Sequence, residues 1–258
     1  MNGTVAIVNQ KGGVGKTTVT LGIASAAWAA QRRVLVVDTD AQASATWALG
    51  LDPATVEFGT SEAIAANKSG VAKEGIVASN WEGVDILPAS GALLQREVEV
   101  GIRGASTRLR RALEGVTDEY SLVLIDCPPT IGLTTVTALT AARFVLLVVE
   151  PAALSLRGIE AVSDCIDGVW AQHNPELDIA GAVINRVPPV SSEADRQVEL
   201  LSKMLGRKTI WEPPVPTRQI VAHALAQRMP VHSFGARAAD VAGVFDHYES
   251  RLRRLIRR

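Results

Sequence analysis

Residues 10–18 read Gln10-Lys11-Gly12-Gly13-Val14-Gly15-Lys16-Thr17-Thr18. This glycine-rich stretch begins shortly after the apolar run Val5 to Val8 and leads into a helix-like segment. Glycines allow backbone conformations and close approaches that side chains would block. Between a strand and a helix, successive backbone N–H groups can point at phosphate oxygens, and the helix N-terminus adds a favourable dipole. The stretch therefore predicts a phosphate-binding loop.

The loop also carries two side chains with defined chemistry. Lys16 is expected to reach the β- and γ-phosphates of a nucleotide, and the Thr17 hydroxyl is expected to hold Mg²⁺. The strict GxxxxGK[ST] spacing fails, because its first glycine would fall at Gln10. The remaining expected phosphate contacts come from Gly12, Gly13, Val14, Gly15 and Thr18.

Apolar, β-branched runs of strand length alternate with helix-like stretches along the chain of 258 residues. This alternation is typical of a mostly parallel, twisted sheet with helices on both faces, so the predicted fold class is α/β. The predicted strands are Val5 to Val8, Arg33 to Asp38, Val84 to Leu87, Leu122 to Ile125, Phe144 to Val149, Ile179 to Ile184 and Lys208 to Trp211. The predicted helices are Thr17 to Gln31, Thr107 to Leu113, Leu133 to Ala142, Ser155 to Gln172, Glu193 to Leu205, Arg218 to Gln227 and Ala238 to Ile256. No long linker, internal repeat or low-complexity run interrupts the pattern, so residues 1–258 are interpreted as a single domain.

Two of the predicted strands end in acids. The second strand leads into Asp38-Thr39-Asp40-Ala41-Gln42. Residues two apart in a strand share a face, so both acids are expected to lean towards the phosphates.

The fourth predicted strand leads into Asp126-Cys127-Pro128-Pro129. Asp126 is expected to orient Mg²⁺ through water, as an acid at the end of an apolar strand does in phosphate-loop proteins. The two prolines stop the strand and are expected to hold the next segment, Thr130 to Thr135, close to the γ-phosphate. Residues 127–135 are therefore the predicted switch that distinguishes ATP from ADP.

The segments KGGVGKTT, DTDAQ and DCPP together resemble the deviant Walker A ATPases of the ParA/MinD superfamily, and the ParA family in particular. The resemblance covers Val5 to about Phe234. It implies an ATP-dependent homodimer in which Lys11, the family's signature lysine, crosses to the partner's nucleotide. It also implies that Asp40 sits by the attacking water and the metal, while Asp38 supports the site. Ala41 departs from the family's usual proline.

The resemblance also implies contacts to the adenine base. Asn185 and Arg186 end a late predicted strand and resemble the family's base-binding asparagine position. Pro216 and Arg218 belong to VPTR, which resembles the family's later IPxN segment, with Arg218 where asparagine is common. Arg186 and Arg218 could equally be surface charges or DNA contacts.

Charge is distributed unevenly along the chain, although the net charge is only -1. Residues 1–185 hold 13 Lys and Arg against 20 Asp and Glu, whereas residues 186–258 hold 13 against 7. Such a skew fits a surface that meets a polyanion, and ordinary solvated surface has the same appearance. The charge-based candidates for DNA contact are Arg196, Lys203, Arg207, Lys208, Arg218, Arg228 and the terminal arginines Arg251, Arg253, Arg254, Arg257 and Arg258.

The resemblance implies a DNA-partitioning ATPase. ATP and Mg²⁺ drive dimerisation, the dimer holds nonspecific DNA, and a DNA-bound partner of the ParB type triggers hydrolysis. The cargo stays open between DNA and a protein compartment.

A MinD-like membrane-surface ATPase is the alternative, because the C-terminal segment carries an apolar stripe among arginines. The stripe consists of Tyr248, Leu252, Leu255 and Ile256. It has no Phe or Trp anchor, which favours a helix docked on the sheet instead.

A metabolic or redox relative, such as the nitrogenase iron protein or a biotin-pathway synthetase, is disfavoured because no cysteine pair or substrate-pocket signature is present. A bacterial tyrosine kinase is disfavoured because no tyrosine tail follows.

The apolar runs are strand-sized and far short of the roughly 20 residues that span a bilayer. The N-terminus shows no basic region followed by a cleavage site. We therefore expect a cytoplasmic protein, and the resemblance implies that it is nucleoid-associated. Cys127 and Cys165 are too far apart for a metal-binding pair and are interpreted as buried apolar residues.

Overall fold

A computed structural model describes residues 3–151, 155–188 and 192–257, with side chains described throughout these ranges except at residues 155–158. The strands are β1 (Thr4–Val8), β2 (Val34–Asp38), β3 (Val77–Ala78), β4 (Val84–Leu87), β5 (Leu122–Asp126), β6 (Phe144–Val149), β7 (Asp178–Ile184) and β8 (Ile210–Trp211). The α-helices are α1 (Lys16–Ala29), α2 (Ser44–Ala48), α3 (Thr60–Ala66), α4 (Leu94–Glu97), α5 (Arg108–Ala112), α6 (Leu133–Ala141), α7 (Ser155–Gln172), α8 (Ser192–Leu205), α9 (Gln219–Ala226) and α10 (Ala239–Ile256). Short 3-10 helices cover Pro53–Thr55, Val71–Glu74, Gly91–Leu93, Ala105–Thr107, Thr117–Glu119 and Val231–Arg237.

Within the described residues the strands form one eight-stranded sheet in the order β3-β4-β2-β5-β1-β6-β7-β8. All neighbouring pairs are parallel except β3 with β4. The register aligns Asp126 with Asp38 of β2 on one side and with Ile7 of β1 on the other. The carboxyl ends of β1, β2 and β5 therefore meet at one edge, which brings the glycine-rich loop and both strand-end acids together.

The sheet is buried on both faces, and this explains why its strands are continuous apolar runs. Along β1, Val5 and Ile7 join the core that packs under α1 and α10, whereas Ala6 and Val8 join the core under α6 and α7. These faces alternate because successive strand residues point in opposite directions. The predicted α/β class is confirmed.

The structure adds elements that the sequence pattern did not indicate. Strand β3 is a two-residue antiparallel edge strand, and α2, α3 and α4 lie in segments where no helix was predicted. These helices span seven residues or fewer, too few to display the 3.6-residue periodicity by which a helix is predicted. Helix α2 packs against β2, α3 against α5 and α4 against α6, so packing against neighbouring elements contributes most of their stability.

Helix α10 is docked on the sheet, as predicted. Phe245, Tyr248 and Leu252 are fully buried, and the Tyr248 hydroxyl donates to the Pro213 carbonyl at 2.6 Å. Its apolar stripe is therefore part of the core. Among the described residues, no helix is both long and apolar enough to cross a lipid bilayer.

Candidate functional site

The glycine-rich loop connects β1 to α1 and depends on glycine at two left-handed positions. Gly13 has φ +81° and Gly15 has φ +90°, a region that favours glycine. A Cβ on Gly15 would lie 2.1 Å from the side-chain nitrogen of Asn185. That nitrogen donates to the Val14 carbonyl at 2.7 Å, so Asn185 braces the loop from the end of β7.

Lys16 is buried at the start of α1, with 7% of its surface exposed. Its ammonium lies 3.5 Å from the Lys11 carbonyl, at the long limit of a hydrogen bond. Burial lowers the Lys16 pKa, and the charges of Asp126, Cys127 and Asp40 oppose that shift. A buried ammonium held inside the curve of the loop is placed to neutralise a phosphate group.

Thr17 and Thr20 both face Asp126 from the first turns of α1. The Thr17 hydroxyl donates to Asp126 Oδ2 at 2.6 Å, and the Thr20 hydroxyl lies 3.1 Å from Oδ1. Residues three apart share a helix face, so Thr20 could have been found from the spacing. Asp126 is fully buried, and burial together with the charge of Asp38 raises its pKa.

Asp38 and Asp40 take different directions, which differs from the expectation that both lean towards the phosphates. Strand β2 ends at Asp38, so the alternation of a strand does not extend to Asp40. Asp38 is fully buried and accepts from the N–H and the hydroxyl of Thr46 at 2.9 and 2.8 Å. Asp38 thus holds α2 in place, and burial raises its pKa. Asp40 alone lines the cavity at the loop.

The segment after β5 lies against the glycine-rich loop. Thr39 donates to the Asp126 carbonyl through both its N–H, at 3.0 Å, and its hydroxyl, at 2.7 Å. Pro129 lines the same cavity as the loop, and a Cβ on Gly12 would lie 3.8 Å from the Pro129 Cβ. The first residues of the predicted switch, residues 127–135, therefore lie against the phosphate loop. Cys127 is buried, and burial raises the pKa of its thiol, as expected for an unreactive core cysteine.

The Lys11 side chain leaves the loop in another direction. Its ammonium pairs with Glu150 at the end of β6, at 3.3 Å, and 39% of the Lys11 side chain is exposed. Arg186 pairs with the other oxygen of Glu150 at 3.0 Å. Glu150 was not anticipated from the sequence. Neither was Asn9, which accepts the Lys11 N–H at 2.8 Å and donates to the Val148 carbonyl at 2.6 Å.

The residues predicted to contact the base do not converge on one point. Arg186 lines the cavity at the loop, and its backbone adopts a left-handed conformation with φ +57°. Pro216 pairs with Val187 in an isolated parallel bridge. Arg218 lines a separate cavity and pairs with Asp240 at 3.0 Å. Base contacts by Pro216 and Arg218 stay predictions.

The cavity at the loop has a volume of about 620 Å³. Its phosphate end is lined by Gly12, Gly13, Gly15, Lys16, Thr17, Thr18, Asp40 and Pro129. The rest of the lining combines apolar residues with polar ones, and Arg228 stacks on the Trp47 ring at 4.5 Å. These remaining residues are Gln42, Ser44, Trp47, Ala48, Pro53, Arg186 and Leu225. A cavity that combines phosphate-binding groups with apolar and polar side chains fits a nucleotide.

The side chains of the site fit Mg²⁺ with a nucleotide. Mg²⁺ prefers few protein oxygens and keeps waters and phosphates as its other ligands. The Thr17 hydroxyl and the Asp126 carboxylate, 2.6 Å apart, provide such a pair of oxygens. Across the described ranges no cluster of three or more His, Cys, Asp or Glu could hold an ion without other ligands.

Comparisons with known proteins agree with this geometry. Residues 2–179 match the family described as AAA domain. The chain is 30% identical to the sporulation initiation inhibitor protein Soj of Bacillus subtilis, over 92% of this chain and 93% of Soj. It is 32% identical to the chromosome partitioning protein ParA of Caulobacter vibrioides, over 91% and 88% of the two chains. A solved structure of a cobyrinic acid a,c-diamide synthase from Mycobacterium smegmatis, with bound ATP analogue and magnesium, matches with a TM-score of 0.76 and 30% identity, covering 88% of this chain and 92% of that one.

Proposed function

This chain belongs to the ParA family of partition ATPases, and from that membership we propose that it is an ATP-driven positioning protein that moves or places DNA. In this proposal ATP and Mg²⁺ bind in the cavity at the glycine-rich loop, and two chains join around two nucleotides. The dimer holds DNA without sequence preference. A DNA-bound partner of the ParB type then stimulates hydrolysis and releases the dimer.

The observation that carries the proposal is the different placement of the two loop lysines. Lys16 is buried and lines the cavity of its own chain. Lys11 is not among the lining residues, and its ammonium lies outside on Glu150. A lysine beside the loop that makes no contact with its own cavity is available to a second subunit. This supports a nucleotide site that is completed by dimerisation.

The remaining residues of the site divide the chemical work. The loop amides and Lys16 hold the phosphates, and Thr17 with Asp126 would hold Mg²⁺, which offsets phosphate charge when bound. Asp40 is at the open side of the cavity, where it accepts the Gln42 N–H at 2.9 Å and can orient a water. Positioning and electrostatics supply most of phosphoryl-transfer catalysis, so an incompletely oriented water gives slow turnover until a partner acts.

DNA binding is supported by charge rather than by a motif. Most Lys and Arg side chains of the last quarter of the chain are exposed. Several of the candidates for DNA contact are nevertheless paired within the chain. Arg196, Lys203 and Arg218 form ion pairs with Glu193, Glu199 and Asp240. Among the other candidates, Arg228 stacks on Trp47, Arg251 stacks on Trp211, and Arg258 lies outside the described residues. Arg253 is paired with Glu249, whereas four other candidates have no carboxylate within ion-pair distance among the described residues and are therefore better placed: Arg207, Lys208, Arg254 and Arg257.

The membrane-surface alternative loses its main support. The apolar stripe that would enter a membrane is occupied, because Tyr248 and Leu252 are fully buried. Leu255 and Ile256 also pack against the core. Exposing the stripe would require α10 to separate from α1. The separation would also break the ion pair between the buried Glu249 of α10 and Arg32.

One experiment separates the competing functions. We propose to measure retention of the protein on DNA of arbitrary sequence and on anionic liposomes, side by side, with ATP–Mg²⁺ or ADP–Mg²⁺. The expected result is retention on DNA with ATP and release with ADP. Retention on liposomes alone would favour the membrane-surface function. A protein that hydrolyses ATP but binds neither surface would favour protein cargo or a metabolic role, the latter raised by the name of the mycobacterial synthase.

A further inference from the structure

A carboxylate from a distant part of the chain caps the helix that follows the proposed switch. Glu97, the last residue of α4, accepts the Leu133 N–H at 3.0 Å through Oε2 and the Thr134 N–H at 3.1 Å through Oε1. Gly132, the residue before α6, provides no side-chain cap. The first N–H groups of a helix have no partner within the helix, and negative charge is favourable there. Glu97 thus supplies the cap that the local sequence lacks.

The capped end of α6 is connected to the phosphate loop over a short path. The Thr135 hydroxyl donates to the Thr130 carbonyl at 2.6 Å, which closes the turn between the prolines and the helix. One residue earlier, Pro129 lines the cavity beside Gly12. The position of α6 therefore sets where residues 129–132 lie against the phosphate end of the site.

Gly132 shows how closely Glu97 is fitted. A Cβ on Gly132 would lie 2.0 Å from Glu97 Oε2, so the carboxylate fills the space that a side chain would need. Gly132 has φ -116°, which any residue adopts, so the glycine is required by this contact rather than by its backbone. The neighbouring segment is itself braced, because Glu99 pairs with Arg108 at 2.6 Å as well as with Arg96.

We propose that Glu97 is a positioning residue for the nucleotide switch. By capping α6 it holds residues 129–132 in the arrangement that recognises the γ-phosphate. This inference rests on the proposed function, because it assumes that the cavity binds ATP and ADP. Glu97 is not among the residues that line the cavity. Its removal should therefore alter the distinction between the two nucleotides and leave the phosphate loop itself intact.

The first test compares nucleotide affinities of the wild type, Glu97→Ala and Glu97→Gln. ADP affinity should stay within about twofold, because ADP is held by the loop. ATP affinity should fall about tenfold in Glu97→Ala, as expected for loss of charge-assisted hydrogen bonds. Glu97→Gln should show an intermediate loss, since an amide oxygen still accepts but carries no charge. Glu62→Ala is the matched control, because Glu62 accepts the Gly59 N–H at 2.9 Å away from the cavity.

The second test uses the contact between Glu97 and Gly132. Gly132→Ala should reduce the preference for ATP about as much as Glu97→Ala does, because the new Cβ displaces the carboxylate. When Gly132→Ala is combined with Glu97→Ala, the new Cβ meets no carboxylate, so the preference for ATP should not fall further than in Glu97→Ala alone. Additive losses, or an equal fall of ATP and ADP affinity, would overturn the proposal. A wild type that binds neither nucleotide would instead refute the proposed function, and thermal unfolding of each variant identifies loss of the fold.

Discussion

The phosphate end of the cavity and the basic C-terminal quarter hold their charges in different ways. Around the phosphate end, Lys16, Asp38 and Asp126 are buried, and both acids are fixed by hydrogen bonds to neighbouring helices. In the C-terminal quarter, arginines lie in solvent and pair with carboxylates close by, such as Arg196 with Glu193. Buried charges are costly unless they are satisfied, so their geometry is strongly determined. Exposed ion pairs contribute little and rearrange easily.

Single substitutions should have their largest effects where the charges are buried. A buried charge that contacts a bound ligand cannot be replaced by water or by a neighbouring residue. A solvent-exposed charge acts together with many others, and its loss is screened by salt. The expected effects of substitution therefore decrease from the loop towards the C-terminus.

The largest expected effect is that of Lys16→Ala on nucleotide binding. No other ammonium lines the phosphate end of the cavity among the described residues, so β- and γ-phosphate charge would remain unneutralised. ATP affinity should fall by about a hundredfold or more, as expected for loss of a charged contact in a buried site. Titration calorimetry measures it, with the exposed Lys73→Ala as control. Unchanged affinity would refute the assignment of the phosphate loop.

Asp40→Ala should leave ATP binding intact and remove hydrolysis, because the acid is expected to position water rather than the nucleotide. Turnover should fall by about a hundredfold or more, the range of a positioned acid or base. Phosphate release measures turnover, and light scattering with ATP should show a dimer that persists. Turnover at the wild-type rate would show that Asp40 has no such role.

The same contrast explains what the sequence could predict. The place of the loop between a strand and a helix, the place of Asp126 at a strand end and the α/β class were predicted correctly, because spacing and strand context constrain them. The braces around the loop were not, since Asn9 and Glu150 each lie 139 residues from a partner, Val148 and Lys11 respectively, and only the folded sheet brings them together. Asp40 was placed on the strand by alternation, but β2 ends two residues earlier. In the C-terminal quarter, charge alone could not distinguish unpaired cations such as Lys208 from paired ones such as Arg196 and Lys203.

Lys11→Ala tests the boundary between the two regions, because Lys11 belongs to the loop but is partly exposed and forms an ion pair with Glu150. The variant should bind ATP within a few-fold of the wild type, since Lys16 and the loop amides remain. It should fail to dimerise, and its DNA affinity should fall with a shallower salt slope, because fewer phosphates are neutralised per particle.

Glu150→Gln provides the matched control for Lys11→Ala, because it removes the internal partner of Lys11 and keeps the lysine. This variant should still dimerise with ATP when sedimentation is measured under the same conditions. If Lys11→Ala keeps wild-type, ATP-dependent dimerisation and DNA binding, the cross-subunit contact is not needed.

Protonation of the buried acids should make nucleotide-free stability depend on pH. Burial raises the pKa of both Asp38 and Asp126, so the folded chain binds protons more tightly than the unfolded chain. Stability should therefore fall as pH rises from about 4, the unfolded carboxyl pKa, through the raised values. The expected loss is about 1–3 kcal/mol. Urea unfolding at several pH values measures it, and Asp126→Asn should flatten the curve.

The smallest expected effects concern single basic residues of the C-terminal quarter. Arg196 binds Glu193 through two nitrogens, at 3.0 and 2.9 Å, and this contact lowers the Glu193 pKa to about 2. Glu193 is therefore ionised at neutral pH and offsets the arginine's charge. Arg196→Ala should barely change DNA affinity, whereas Lys208→Ala should lower it and reduce the salt slope by about 0.9, the value for one phosphate contact.

Glu193→Ala should raise the DNA affinity, because it frees Arg196 to meet a phosphate. Salt titrations of DNA binding compare the three variants. If Arg196→Ala lowers affinity more than Lys208→Ala does, pairing within the chain does not determine which cations meet DNA, and the contrast with the phosphate end would rest on burial alone.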